Sequence, residues 1–113
     1  MKHVRAIIKP EMLDNVRAAL EEAGYCHGLT ITEVMGHGNQ MGIFQEWHGE
    51  TVHLDLLPKV TVDMVVRDDE LGIVKQIIIQ NANKGENGDG KIFVYDVLEA
   101  IRIRTGEEGD SAL

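Results

Sequence analysis

A chain of 113 residues, 43% hydrophobic and 27% charged, reads as one globular domain, residues 1–113, with room for a modest core. Its formal charge of −8 argues against nucleic acid as a main partner, and no apolar run reaches the roughly 18 residues that a membrane helix needs. The single Cys26 rules out an intrachain disulfide and, with Met1-Lys2-His3 leading straight into a short apolar run rather than a signal peptide, points to a reducing, cytoplasmic setting.

Val4-Arg5-Ala6-Ile7-Ile8 predicts a central strand. Pro10 stops it and suits the first turn of a helix. Over Glu11 to Ala23, Leu13, Val16, Leu20 and Ala23 recur at helical spacing, Glu11 and Asp14 sit near the positive N-terminal end, and Gly24 closes the helix. Thr30-Ile31-Thr32-Glu33-Val34 predicts a second, β-branched strand. Residues 36–54 show neither period and carry Gly36, Gly38, Gly42 and Gly49 with Phe44 and Trp47. This reads as a long loop offering a contact surface, the alternative being a β-hairpin extension. Val60, Val62, Met64 and Val66 then share one face of a strand, with Thr61, Asp63 and Val65 on the other. Asp68 is the expected N-cap of a helix running to about Asn83 and burying Leu71, Val74, Ile77 and Ile78. Gly72 inside it costs about 1 kcal/mol against Ala.

The stretch Lys84-Gly85-Glu86-Asn87-Gly88-Asp89-Gly90-Lys91 follows. Its three glycines free the backbone for positive φ and close approach. Successive N–H groups in such a turn form a small anion cradle, with Lys91 as a point charge beside it. The plainer reading is an ordinary Asp-Gly turn between helix and strand. Ile92 to Val97 predicts the last strand. In Ile101-Arg102-Ile103-Arg104-Thr105-Gly106 apolar and basic residues alternate. If extended, Arg102 and Arg104 lie on one face about 7 Å apart and grip a polyphosphate, or form a solvated face. Gly109-Asp110-Ser111 reads as a mobile end.

The order is β-α-β, a long connection, β-α-β and an extra segment. Two such units close most simply into an α+β, ferredoxin-like four-stranded antiparallel sheet with both helices on one face. The other face is left bare and asks for burial by further subunits.

Ala6-Ile7-Ile8-Lys9-Pro10, Thr30 to Val34, Leu57-Pro58-Lys59-Val60, Gly88-Asp89-Gly90-Lys91-Ile92-Phe93-Val94 and Ile101 to Glu108 together resemble, in order and spacing, the PII signal-transduction (nitrogen regulatory) family. The resemblance implies a homotrimer with a nucleotide site in each cleft between subunits, where ATP and ADP compete. It implies that Mg2+ and ATP enable 2-oxoglutarate binding, and that a T-loop at about 37–55 docks on target proteins; a C-terminal segment spans about 98–113. Carried over by position, Gly88, Asp89, Gly90 and Lys91, with Arg102 and Arg104 from the neighbouring subunit, face the phosphates. Gly36, Gly38, Asn39 and Gln40 lie along the nucleotide, and Thr30, Asp63 and Val65 line its adenine and ribose end. Gln40 matches the Mg2+ ligand; Gln40, Met41, Gly42 and Lys59 form the 2-oxoglutarate site. Phe44, Trp47 and His48 are the expected partner contacts. The target would be an ammonium transporter, giving peripheral membrane association, or a metabolic or regulatory enzyme.

Asn39 stands where the family usually has Arg, Met41 where it often has Lys, and Asp63 where it has Glu, and Glu86 puts an acid near the phosphate cradle. One cation fewer and one anion more predict a weaker preference for ATP, or a preference for ADP. Against a regulator stands a slow ATP-hydrolysing or phosphoryl-transfer enzyme in the same cleft, for which Asp89 is the available base. A metal-responsive trimer is a further alternative. His3, His27, His37, His48 and His53 show no zinc spacing, and nothing in the sequence activates Cys26.

Overall fold

The computed structural model describes residues 1–37, 43–47, 50–54 and 56–113. In chain order these form β1 (Lys2–Ile8), a 3-10 turn (Pro10–Met12) running into α1 (Leu13–Glu22), β2 (Thr30–His37), β3 (Ile43–Trp47), β4 (Glu50–Leu54) and β5 (Leu56–Val66). A 3-10 turn (Asp68–Glu70) then leads into α2 (Leu71–Ala82), followed by β6 (Gly90–Asp96) and a last 3-10 turn (Gly109–Ala112).

Local chemistry explains the helix ends. Pro10 opens the first helical segment, and the Met12 N–H closes onto the Lys9 carbonyl at 3.0 Å. At the other end Gly24 takes φ +85°. Tyr25 N–H then reaches Leu20 O at 2.8 Å and Gly24 N–H reaches Glu21 O at 3.0 Å, the paired bonds of a Schellman stop. For the second helix the expected N-cap shifts by one residue. Arg67 is the extended residue before the first turn, and the Glu70 carboxylate accepts its backbone N–H at 3.2 Å. Asp68 instead pairs with the Met1 ammonium at 2.8 Å, which ties the start of β1 to the start of this helix.

Four strands form an antiparallel sheet in the order β2-β5-β1-β6, with both helices on one face. This is the ferredoxin-like βαβ-βαβ arrangement that the periodicity predicts. Register carries the core: Ala6 lies opposite Val62 on one side and Ile92 on the other. Val4, Ala6, Ile8, Val60, Val62, Met64 and Val66 pack against Val16 and Leu20 of α1 and Val74, Ile78 and Ala82 of α2. Those helical residues recur at i and i+4, as one buried stripe requires. Leu71 and Ile77, expected inside, pack at the margin of the core. The opposite face, with His3, Arg5, Thr61, Asp63, Val65, Phe93 and Tyr95, has no helix over it among the described residues.

Two expectations are corrected. The connection read as a loop is largely strand. β2 continues to His37, which pairs with Leu56 of β5, and β3 pairs with β4 from Ile43↔Leu54 to Trp47↔Glu50. A ladder is made by backbone groups, so strand pairing does not need the side-chain alternation that 36–54 lacks. The radius of gyration, 17.1 Å against about 13 Å for a compact chain of this length, registers the projection. The end read as mobile is also ordered: Gly109 N–H bonds Ala100 O at 3.0 Å, and Ser111 Oγ donates to Glu108 O at 2.9 Å.

Candidate functional site

The glycine turn sits where α2 ends and β6 begins. Gly85, Gly88 and Gly90 all have positive φ, at 74°, 86° and 106°. Gly90 is the constrained one. It pairs with Ile8, and a Cβ built on it would lie 1.7 Å from the Ile7 carbonyl oxygen. Only a residue without a side chain lets β6 start there against β1.

The turn is held from within. One Asp89 carboxylate oxygen, Oδ2, accepts the backbone N–H groups of Lys84, Gly85 and Glu86 at 2.9, 2.9 and 3.2 Å. Asn83 Oδ1 accepts Gly85 N–H as well, at 2.7 Å. The sequence offers these amides as an anion cradle; in the structure Asp89 fills that part of it. Burial pushes the Asp89 carboxyl up, but the bonds from Lys84, Glu86, Lys9 and Gly85 together hold it below the usual carboxylate range.

Lys9, 8% exposed, completes the arrangement. Its Nζ lies 2.8 Å from Glu86 Oε2 and 3.4 Å from Asp89 Oδ1. The Glu86 hydrogen bond raises the Lys9 ammonium, and the same bond lowers the Glu86 carboxyl. Glu86 is therefore not the uncompensated acid that its place in the sequence suggests. The sequence reading gives Lys9 no role. Its signal was indirect: two acids in one glycine turn need a cation close by.

Lys59, on β5 opposite Val34, reaches across the end of the sheet and donates from Nζ to Gly88 O at 2.7 Å. It thereby joins the strand leaving the β3–β4 hairpin to the glycine turn. Gly36, one turn of the pleat along β2, leaves room for the Lys59 stem, since a Cβ there would sit 3.1 Å from Lys59 Cγ.

The open sheet face carries a second cluster. Thr30 lies opposite Asp63 in the β2–β5 register. Asp63 Oδ1 takes both His3 Nε2 at 2.6 Å and Arg5 Nε at 2.8 Å, and the His3 ring packs against Tyr95 with centroids 5.4 Å apart. Burial pushes the Asp63 carboxyl up; the Arg5 and His3 bonds outweigh it and leave it lowered. Sequence reasoning missed His3 and Arg5. Strand alternation put them on the face of Asp63, but only the β1–β5 register, Arg5↔Asp63, brings them to it.

Arg102 and Arg104 do not share a strand face. Residues 102–106 form a turn, with Gly106 at φ 74° and its N–H on Arg102 O at 2.7 Å. The alternation of Ile and Arg across it is not the period of a strand, because the chain reverses within five residues. Of the three cations assigned to phosphates, Lys91 and Arg104 have no acidic partner among the described residues. Arg102 has its Nη2 on Leu113 O at 3.2 Å and its Nη1 3.7 Å from Glu107 Oε1. Gly38, Asn39, Gln40, Met41, Gly42 and His48 lie outside the described residues. Phe44 and Trp47 fall in β3, of which the strand path is described.

Together these features define a class: a ferredoxin-like α+β domain with a projecting hairpin, an uncovered sheet face and a glycine turn with a lysine beside it. The family model for nitrogen regulatory protein P-II matches residues 1–107. The chain is 49% identical over 113 residues to nitrogen regulatory protein P-II 2 of Methanothermobacter thermautotrophicus, covering all of this chain and 97% of that one. It is 50% identical, over the full length of both chains, to nitrogen regulatory protein P-II of Klebsiella oxytoca and P-II 1 of Escherichia coli K12. The chain belongs to the P-II nitrogen regulatory family, whose relatives are named as regulators.

Proposed function

We infer that this chain is a non-catalytic nitrogen-signalling regulator that binds ADP and ATP in clefts between subunits of a homotrimer. One observation carries the reading: in a chain of charge −8, Lys91 stands on the open face beside the constrained Gly90 without an acidic partner among the described residues. A cation with no acidic partner among the described residues of an acidic protein, next to backbone that excludes any side chain, suits a phosphate. The uncovered face supports the assembly. Phe93 and Tyr95 are exposed there, and Leu98, Ile101 and Ile103 are exposed beyond it, Ile103 fully at 100%. Apolar groups so displayed are buried by subunit contact.

The residues fit the ligands as follows. Gly88, Gly90 and Lys91 would meet the phosphates, with Arg102 and Arg104 coming from the neighbour, and Thr30, Asp63 and Val65 the sugar and base. Asp63 already has one oxygen anchored by the Arg5 guanidinium and the His3 ring, which leaves Oδ2 to accept from a hydroxyl. Lys59, held by a neutral carbonyl, can turn to a carboxylate of 2-oxoglutarate. No group of three His, Cys, Asp or Glu side chains converges among the described residues, and Asp89 is committed to the turn. A Mg2+ would therefore rest on phosphates, the 2-oxo acid and the amide oxygen of Gln40, a hard-ligand set that suits it. The same commitment speaks for a regulator over a phosphoryl-transfer enzyme: a carboxylate bound by three amides and a lysine is a poor base. Targets, whether a transporter or an enzyme, would be met by the segment at 37–55.

The Lys9–Glu86 pair removes one of the two reasons for weak ATP binding, so the ATP/ADP balance rests on Asn39. Titration calorimetry with sedimentation of the same sample tests the whole reading. The expected result is a trimer that binds both nucleotides, with ATP less than about tenfold tighter than ADP, a gap of about 1.4 kcal/mol. Tighter ATP binding than that removes the ADP inference. A monomer with no affinity for adenine nucleotides overturns the proposed function.

A further inference from the structure

Of the three cations that the proposed function gives to phosphates, Arg102 is the one held by its own chain among the described residues. The C-terminal residues are built to return to it. Gly106 and Gly109, at φ 74° and 70°, turn the chain, and Arg102 N–H bonds Glu107 O at 2.9 Å. The turn at Gly109–Ala112 then brings Leu113 round, with its N–H on Asp110 O at 3.2 Å. The result is a hook whose Glu107 carboxylate and Leu113 backbone oxygen bracket the Arg102 guanidinium. The end of the hook, Asp110 and Leu113, lines a cavity of 220 Å³ together with Met64, Val65 and Val66. Val65 is itself one of the residues given to the nucleotide.

We propose that residues 107–113 form a self-docked strap: they hold Arg102 and stand beside Val65, so that a nucleoside diphosphate reaches Arg102 only by displacing them. The nature of the anion rests on the nucleotide reading; the strap does not. The bond strengths make the strap displaceable. Each is a single exposed contact on a partly exposed guanidinium, the Leu113 oxygen at 3.2 Å and the Glu107 carboxylate at 3.7 Å, so water competes for both, whereas a diphosphate offers short charge-assisted bonds to two nitrogens. By linkage, a ligand that displaces the strap binds more tightly once the strap is weakened, by the same factor that it loosens the strap. Exposed ion pairs set that factor at about two- to fivefold.

The test uses the full chain, Glu107→Gln, and a variant ending at Gly109, with ADP and pyrophosphate as probes. Affinity is read by calorimetry, and strap release by amide exchange at Gly109 and Leu113. Both variants are expected to bind ADP about two- to fivefold tighter, and ADP is expected to speed exchange in the full chain. If ADP binds, but neither its affinity in the variants nor exchange in the full chain changes, the strap is overturned and the nucleotide reading stands. If ADP does not bind while pyrophosphate speeds exchange and binds the variants more tightly, the strap stands and the nucleotide reading falls. If neither probe binds, both fall.

Discussion

Substituting Gly90 with alanine tests the central claim about how the site is built. Two costs add. An L-residue at positive φ loses about 1–2 kcal/mol. The new Cβ would also sit 1.7 Å from Ile7 O, so that backbone must retreat by more than an ångström. Retreat breaks the Ile8↔Gly90 and Ile7↔Lys91 pairing at the end of the β1–β6 ladder. Together the loss should exceed about 3 kcal/mol, in the range that only a named backbone or core defect produces. Gly85→Ala is the control, since φ is +74° there but nothing lies within 4 Å of the added carbon. It should lose about 1–2 kcal/mol and no more. Urea unfolding at fixed protein concentration reads both, which holds any assembly contribution constant. In a thermal scan the two should differ by several degrees, at about 4 °C per kcal/mol for a domain of this size. Equal destabilisation by the two alanines would refute the reasoning, because it would mean that positive φ alone, and not the approach of β1, fixes the glycine.

Two further results are expected. Asp89 has a carboxyl lowered in the folded state, so its contribution is present above the ordinary carboxyl range near pH 4 and is lost as pH falls through the lowered value. Asp89→Asn should therefore reduce the urea midpoint at neutral pH, and the gap to the parent should close on acidification towards pH 3; a gap that widens in acid contradicts the assignment. Ile78, 1% exposed, should cost about 2–5 kcal/mol as alanine, whereas Ile79, 46% exposed, should cost under about 1 kcal/mol. Similar losses at the two positions would misplace the buried stripe of α2.

Legibility in the sequence followed how local each signal is. Val60 to Val66 alternates because one face is buried, and Val16/Leu20 and Val74/Ile78 repeat at i and i+4 for the same reason. Such periods are written residue by residue. The Asp-Gly turn was equally plain, though its carboxylate had two plausible uses and the structure gives it the internal one. Where side chains carry no period the sequence is silent: the β3–β4 ladder is backbone pairing without alternation. The Ile-Arg-Ile-Arg run misleads for the converse reason, since a period-two pattern over four residues does not prevent Gly106 from turning the chain.

The amino-acid order alone decided the two helices and the strands of the central sheet, their core faces, the turn glycines and, through five separated stretches, the family. What the fold alone decided is which polar groups meet. Lys9 finds Glu86 and Asp89, His3 and Arg5 find Asp63, and Lys59 finds Gly88, across sequence separations of 77, 60, 58 and 29 residues for the Lys9–Glu86, His3–Asp63, Arg5–Asp63 and Lys59–Gly88 bonds. A hydrophobic face is selected by water and needs only a local period. A polar pair depends on strand register and on where a turn sets its backbone, and those are settled when distant segments pack.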